Sequence, residues 1–454
     1  MTSIQWFRRD LRLDDNPALL HAVRDAAATD GGVVGLFVLD DSLWGRSGTP
    51  RLRYLQHSLD ALSEQMGGRL VVRRGSPAEV VPTVAREACA ATVHVAESFE
   101  PYGRHRDAET SLALERAGVE LRTTGSSYAV SPGRVLSRSG TPYRVFTPFR
   151  TAWLDHGWRA PAGSPADHTW IDLPSDSLPP IDDPGDGPVL PEAGERAART
   201  RWREYLDAVA RYDDDRDRPD LDATSHVSIA LKWGEVHPRT LLSDLRSVPG
   251  AGADSFRSEL AWREFHADVL FHSPSAATTS LRPVLPDDSW APDELAAPML
   301  HAWAAGRTGY PYIDAGMRQL LHEGWMHGRT RMAVASFLVK DLHVPWQRGA
   351  AHFMDRLLDA DVAQNQLNWQ WVAGTGLDAS PYFRIFNPVL QGKKFDPDGA
   401  YVRRWVPELR DITGQAVHEP WRRAQPPTGY PARIVDHAAE RKVSLDAYDR
   451  ARRG

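Results

Sequence analysis

The sequence predicts an α/β domain followed by an all-α domain: an N-terminal doubly wound parallel sheet of Rossmann-like type, a long linker, and a C-terminal helical domain. Three observations carry this. Short apolar runs alternate with helical periodicity from residue 4 to residue 123. Strand patterns nearly vanish after residue 195. Between the two lies a proline-rich, acidic stretch, residues 160–195.

The apolar runs at 4–7, 33–39, 70–73, 92–96 and 120–123 read as strands. Helical patterns lie between them, as at 17–28 and 52–66, and Asn16 before Pro17 fits an N-cap and first-turn pair. Strands alternating with helices predict a parallel sheet. No GxGxxG follows the first strand, which argues against a standard dinucleotide site there. Further on, 195–210, 256–271, 298–305, 313–323, 330–338, 350–358 and 361–372 read as helices. The tail from Val417 is Arg-rich and Pro-broken, a composition that packs poorly. The domain limits are then 1–130, a connector over 131–195, and 196–454. No internal repeat is present.

A chain of 454 residues can bury sizeable cores. It has no apolar run long enough to span a membrane, and the polar RRDLRLDD near the start replaces a secretion signal. Cys89 is the only cysteine, so internal disulfides and cysteine-held clusters are excluded. A cytosolic protein is expected. The net charge of −6 is unevenly spread: residues 160–195 hold eight acids and no Lys or Arg, and the remainder carries +2. That stretch also holds eight prolines and reads as a linker. A local basic patch therefore stays compatible with nucleic acid. Of 16 tryptophans, 11 follow the linker.

The chemistry concentrates in DADVAQNQLNWQWVAGTGLDASPYFRIFNP, residues 359–388. Asp359, Asp361, Asn365, Trp369 and Trp371 fall within four helical turns, before a Gly-rich turn. The acids accept hydrogen bonds, the amide both donates and accepts, and indoles are flat and oxidisable. Two readings stay open on these residues alone: a site for a redox-active aromatic cofactor, or a tryptophan-rich core helix with solvated acids. Upstream, Tyr212-Asp213-Asp214-Asp215-Arg216-Asp217 precedes Thr224-Ser225-His226-Val227-Ser228. The second cluster offers hydroxyls and N–H groups before a helix, which suits a phosphate. Taken alone, plain helix capping is the favoured reading of it.

The segment WQWVAGTGLDASPYFRIFNP resembles the signature of the DNA photolyase and cryptochrome family. The resemblance runs from IQWFRRDLRLDDNPAL to ELRDITGQAVHEPW, through WREF (262–265), TGYPYIDAGMRQL (308–320), WMHGRTRM (325–332) and ASFLVKDL (335–342), in the family's order. Chance similarity at that length and order is remote. The resemblance implies an antenna-binding α/β domain and a helical FAD-binding domain, and the single cysteine excludes the family's iron–sulfur subgroup. By the same resemblance Tyr212, Thr224, Ser225, His226, Val227 and Ser228 hold the FAD ribityl and diphosphate, and Arg263 reaches the diphosphate. Arg331 pairs with Asp359 near the isoalloxazine, Asp361 accepts a further ring-edge or sugar bond, and Asn365 faces flavin N5. Phe256 stands where relatives often have Trp, as an apolar wall.

Glu259, Trp262, Arg329, Met332 and Trp371 match residues that line the family's lesion cavity. Two indoles can wedge a flipped-out pyrimidine pair. Glu259 can bond a pyrimidine edge and donate a proton where burial raises its pKa, although by residue chemistry alone it is an i,i+4 partner of Arg263. Arg329 and Arg216 hold phosphates. Gly328 departs from the family, where Asn is common; it leaves a hole for a water or marks an altered substrate preference. Trp369, Trp346 and Trp290 match the tryptophan chain that carries an electron to oxidised flavin, with Trp303 as the alternative to Trp290. Glu100-Pro101-Tyr102-Gly103-Arg104-His105-Arg106-Asp107 resembles the segment of members that bind an 8-hydroxy-5-deazaflavin antenna, and Phe37, Asp40 and Arg51 join Glu100 and Arg104 as candidates. Methenyltetrahydrofolate, a flavin, or an empty pocket are the alternatives.

The resemblance thus implies a monomeric deoxyribodipyrimidine photo-lyase, with no obligate protein partner and no membrane. It would repair cyclobutane pyrimidine dimers in UV-damaged DNA by electron transfer from photoexcited reduced FAD. A lesion that stacks poorly is cheap to flip. The rivals are a cryptochrome photoreceptor, a (6-4) photoproduct photolyase, and a nucleotide-binding signalling protein without photochemistry. Glu259, Trp262, Met332 and Trp371 speak against the first; Gly328 and Met332, in place of a histidine pair, speak against the second.

Overall fold

Apolar runs flanked by turn residues form the strands of the N-terminal sheet. In the computed structural model these are β1 (Thr2–Phe7), β2 (Val33–Leu39), β3 (Leu70–Arg74), β4 (Ala90–Glu97) and β5 (Glu120–Ser126). All pair in parallel, in the order β3-β2-β1-β4-β5. Ile4 lies opposite Val34, Leu36 opposite Val71 and Val93 opposite Leu121. β2 is buried along its whole length, as a parallel strand covered on both faces must be. Helices α1 (Pro17–Ala27), α2 (Thr49–Gln65), α3 (Pro77–Glu87) and α4 (Pro101–Arg116) connect the strands. Asn16 caps α1, its side chain accepting from Leu19 N at 3.2 Å, with Pro17 at the first position.

The structure describes residues 1–181, 187–377 and 384–453. Asp182, Asp183 and Asp186 of the acidic stretch, and residues 378–383 of the signature segment, lie outside the described residues. The chain divides into two compact units. The first comprises Met1–Pro184, Pro191–Arg211 and Ser225–Pro274; the second comprises Gly185–Leu190, Tyr212–Thr224 and Ser275–Gly454.

In the first unit the acidic stretch does more than link. Val33 N donates to Thr169 O at 2.9 Å and Ile171 N to Val33 O at 2.8 Å. Asp176 N donates to Val72 O at 2.8 Å, and Arg74 N to the Asp176 carboxylate at 2.9 Å. The first two bonds pair the start of β2, ahead of its register with β3; the last two cover β3, the edge of the sheet, which would otherwise present unpaired backbone groups. Before this stretch the chain forms α5 (Phe146–His156), and after it α6 (Glu195–Leu206), α7 (Val227–Trp233) and the 22-residue α8 (Ala251–His272).

Two carboxylates of α8, one turn apart, hold the chain that leaves β5. Glu264 accepts from the backbone N–H groups of Ala129 and Val130 and, at 2.5 Å, from Trp153 Nε1. Asp268 accepts from Gly133 N at 2.7 Å. Neighbouring Arg263 donates to Ser127 O at 2.9 Å and lies over the Tyr128 ring at 4.7 Å.

The second unit is helical: α9 (Asp293–Ala304), α10 (Pro311–Glu323), α11 (Gly328–Lys340), α12 (Trp346–Arg356), α13 (Val362–Ala373), α14 (Pro388–Phe395), α15 (Ala400–Trp405) and α16 (His437–Arg453). Its core includes Trp303, Phe337, Leu338, Trp346, Phe353 and Trp369. The tail does not pack poorly, as its composition suggested. His437 bonds the Asp341 carboxylate at 2.5 Å, Ser444 donates to Lys340 O at 2.7 Å, and His343 meets Glu440 at 2.7 Å. Val417 joins the core, and Trp421, Tyr430, Ile434 and Val435 pack against it, so polar anchors and apolar contacts both hold the tail.

Burial pushes the Glu264 carboxyl up from 4.5 to about 7, against the lowering effect of its three donors. The native state thus holds this proton where the unfolded chain has released it. Its contribution to stability is greatest at low pH and is lost as pH rises from about 4.5 to 7, by about 3 kcal/mol. Glu264→Gln removes the titration. The difference in thermal midpoint between wild type and variant is expected to move in favour of wild type as pH is lowered from 7.5 to 5. A pH-independent difference would count against this assignment.

Candidate active site

The second unit gathers the acids and the amide of residues 359–365 around α11 and α13. Arg331, one turn into α11, forms a two-pronged pair with Asp359, at 2.9 and 3.2 Å, and donates to Met326 O at 2.8 Å. Asp359 is buried, so its charge rests on this pair. Asp361 is spent differently: it is the N-cap of α13, accepting from Gln364 N at 3.1 Å. Asn365 is buried, and its amide nitrogen donates to Ala350 O at 3.0 Å and to Gln366 Oε1 at 3.1 Å. The nitrogen being committed, the amide presents its oxygen as the remaining acceptor, an orientation assigned from these bonds.

One turn on, Trp369 is buried, edge-on to Phe353 at 5.1 Å and to Trp303 at 6.2 Å. Gly349 on α12 permits this. A Cβ there would stand 2.2 Å from Trp369 Cη2 and 2.5 Å from Leu338 Cδ2. Trp346 is equally buried and donates to Ser280 Oγ at 3.0 Å. Trp290 and Trp371 are only partly buried, packed against the rim of the same core. Between Trp369 and Trp371, Gln370 is fully buried: it donates to Ala276 O at 2.9 Å and Thr279 O at 3.2 Å and accepts from Leu281 N at 2.9 Å. This glutamine fixes the two indoles on opposite sides of α13.

Arg329 forms an ion pair with Asp217 at 2.5 Å and lies over the Phe395 ring at 4.6 Å. Arg216 lies over the Tyr212 ring at 5.6 Å. Met332 is partly buried beside the core. Gly328 opens α11, and a Cβ at that position would meet no atom within 4 Å. The Thr224 hydroxyl is buried with no hydrogen-bond partner among the described residues.

In the first unit α8 carries Phe256, Glu259, Trp262 and Arg263. Phe256 is buried against Trp202 and Tyr205, at 5.2 and 6.2 Å. Trp262 is partly exposed and Glu259 half-buried. His226 is left-handed (φ 51°) at the N-cap of α7, Val227 is buried, and Val227 N donates to Ser225 Oγ at 3.4 Å. Ser228 follows within α7.

The antenna candidates sit at the carboxyl ends of β2 and β4. Phe37 lies near the end of β2, Asp40 follows its last residue, and Glu100 precedes α4. Asp40 accepts from Ser42 N at 3.0 Å and from the Tyr102 hydroxyl, which joins the two strand ends. Arg51 is buried and donates to Ser47 Oγ at 3.0 Å, Glu100 pairs with Arg9, and Arg104 lies over Phe271 at 4.9 Å. The segment 101–107 is the first turns of a helix.

The comparisons with known proteins agree over the whole chain. A family model described as DNA photolyase matches residues 3–166, and one described as the FAD binding domain of DNA photolyase matches 256–450. The Deoxyribodipyrimidine photo-lyase of Streptomyces griseus is 44% identical over 448 residues, 96% of each chain. Among solved structures, a bacterial class III photolyase from Agrobacterium tumefaciens superposes with a TM-score of 0.91 at 37% identity, over 100% of this chain and 98% of that one. A cryptochrome from Synechocystis gives 0.88 at 26%, over 98% and 99%. A matching FAD-binding domain, a matching α/β domain and near-complete coverage at this identity place one conclusion beyond the fold alone: the chain belongs to the DNA photolyase family.

Proposed function

We propose that this chain repairs cyclobutane pyrimidine dimers in DNA under blue or near-UV light. The observation that carries the reading is the α11–α13 constellation: the Arg331–Asp359 pair, the acceptor oxygen of Asn365 and, one turn further, the buried Trp369. The residues fit FAD. The buried Thr224 hydroxyl lacks a partner among the described residues, which a ribityl or phosphate oxygen would supply. When bound, reduced and excited by light, FAD supplies one electron to the dimer and recovers it after ring opening.

The chain's own groups bind and orient. Asp359, neutralised by Arg331, keeps lone pairs for a ring N–H, and Asn365 offers Oδ1. Asp361, with its oxygen on Gln364 N, serves the fold of α13 before any sugar. Tyr212, Ser225, His226, Val227, Ser228 and Arg263 are assigned to the ribityl and diphosphate, and Phe256 to the apolar wall. For DNA, Trp262 and Trp371 offer indole faces to bases, Glu259 bonds a pyrimidine edge, Met332 gives apolar contact, and Arg216 and Arg329 meet phosphates. The functional division is an antenna domain at 1–130, a connector at 131–195, and an FAD and lesion domain at 196–454. The protein acts as a monomer in the cytoplasm.

The test is gel-shift binding and dimer loss under blue light, on cyclobutane and (6-4) substrates in parallel. Binding to dimer DNA is expected to be tight and salt-sensitive, through counterion release, with repair of the cyclobutane substrate. Trp262→Ala is expected to lose about 1–3 kcal/mol of lesion affinity. Gly328→Asn, whose Cβ would meet no described atom within 4 Å, is expected to repair within a few-fold of wild type. Equal affinity for damaged and undamaged DNA, with no dimer loss, favours the photoreceptor reading.

Trp369, Trp346 and Trp290 are assigned to refill oxidised cofactor from the surface. Trp369→Phe is expected to abolish photoreduction, since phenylalanine is much harder to oxidise than indole, and to spare repair by pre-reduced enzyme. Photoreduction at the wild-type rate would falsify the assignment.

The second chromophore is read as 8-hydroxy-5-deazaflavin. The choice rests on the resemblance of residues 100–107; Phe37, Asp40 and Glu100 lie in or just after strands beside β1, near the carboxyl ends where parallel sheets bind ligands, which suits a second chromophore of any kind, and Arg51 and Arg104 follow in the next helices. Co-expression with deazaflavin synthesis is expected to add a blue absorption band that sensitises FAD. Stoichiometric methenyltetrahydrofolate, or an unchanged spectrum, sinks this choice.

A further inference from the structure

The helix α5, inside the segment that reads as a connector, lays one face along α8. Phe146, Phe149 and Trp153 recur at helical spacing and are all buried. Trp153 donates its indole N–H to Glu264 at 2.5 Å, and Phe149 packs on Phe265 at 5.2 Å. These two contacts fix how far α5 is shifted along α8 and how it is turned. The consequence falls on Phe146. Its ring lies 3.6 Å from the Trp262 ring at an interplanar angle of 8°. Phe265 and His266 stand further round the same indole, at 5.7 and 5.5 Å.

We propose that Phe146 is a positioning residue that makes Trp262 a one-sided stacking platform. This rests on the reading of Trp262 as a lesion contact. An indole has two faces. With one covered by Phe146, a base can stack only on the other, so the side chain acts as a wedge against a single splayed pyrimidine and cannot intercalate between two stacked ones. The partly exposed state of Trp262 is consistent with a free second face. The arrangement rewards a non-planar, already unstacked lesion and gives nothing to intact duplex. It also holds the indole plane before DNA arrives, so less side-chain freedom is lost on binding.

The experiment measures fluorescence-anisotropy binding of the FAD-loaded full-length protein to oligonucleotides with and without one cyclobutane dimer. The variants are Phe146→Leu, Phe146→Tyr, Trp262→Ala and the Phe146→Leu/Trp262→Ala double variant. Leucine keeps apolar volume for the α5–α8 contact but offers no flat face. Phe146→Leu is expected to lose roughly two- to tenfold in dimer affinity, with undamaged DNA unchanged, and Phe146→Tyr to restore it. Trp262→Ala is expected to lose roughly five- to a hundredfold, and adding Phe146→Leu to it is expected to cost nothing more. A purely structural role predicts equal losses on both DNAs, additive with Trp262→Ala, and either result overturns the proposal. So does wild-type dimer selectivity in Phe146→Leu while Trp262→Ala is impaired. If Trp262→Ala itself keeps full dimer affinity, the lesion reading of Trp262 falls, and this inference with it.

Discussion

The buried Glu264 carboxylate is the point on which the first unit's functional helix depends. Taking a carboxylate out of water is costly unless its lone pairs are filled. Here two backbone N–H groups and an indole N–H fill them. Those donors come from two different segments, the chain leaving β5 and helix α5, so one side chain holds both on α8. Asp268, one turn later, repeats the device with Gly133. On the same helix Arg263 bonds Ser127 O of the chain leaving β5, and Trp262 stacks on Phe146 of α5. Removing one partner of such a buried group leaves the other unsatisfied, which costs more than the net contribution of the bond to stability, and that asymmetry keeps the helix in register.

The second unit solves a similar problem with shape. Trp369 occupies the space that a side chain at 349 would need, so α12 and α13 approach closely only because residue 349 is glycine. Gln370 then fixes the rotation of α13 by saturating the backbone of residues 276–281. With both degrees of freedom removed, the direction of Asn365, one turn earlier, follows. Ala350, next to Gly349, provides the carbonyl that takes the amide nitrogen. The glycine that admits the tryptophan and the carbonyl that orients the amide are thus adjacent in sequence, on one turn of α12.

How much of this was legible follows from range. The strands were readable because parallel strands are continuous apolar runs, and Val33–Leu39 was placed to the residue. Helix α4 was not, because only Gly103, Thr110 and Leu114 are buried along its sixteen residues. Helix α5 was hidden in a segment judged by its acidic, proline-rich second half, and α16 by its basic composition. At the candidate site, the residues to which chemistry is assigned stood in contiguous motifs. The residues that position them did not. Glu264, Gln370, Gly349 and Phe146 look ordinary in one dimension; each acquires its role from a partner 20 to 135 positions away.

Burial separates the tryptophans into two groups. Trp303, Trp346 and Trp369 are fully enclosed in one core, while Trp262, Trp290 and Trp371 keep part of their surface exposed. An enclosed indole can pass an electron to a neighbour but cannot touch a substrate. A partly exposed one can meet a base, or can end a chain where its charge is stabilised by water. This bears on which tryptophan would end the proposed relay. Trp303 touches Trp369 directly, but it is fully buried, and its N–H is bonded to Val334 O at 3.0 Å. A cation left there would be desolvated on every side, at a cost that water removes at the surface. Trp290, at the rim of the same core, is the one of the two whose environment suits the outer end.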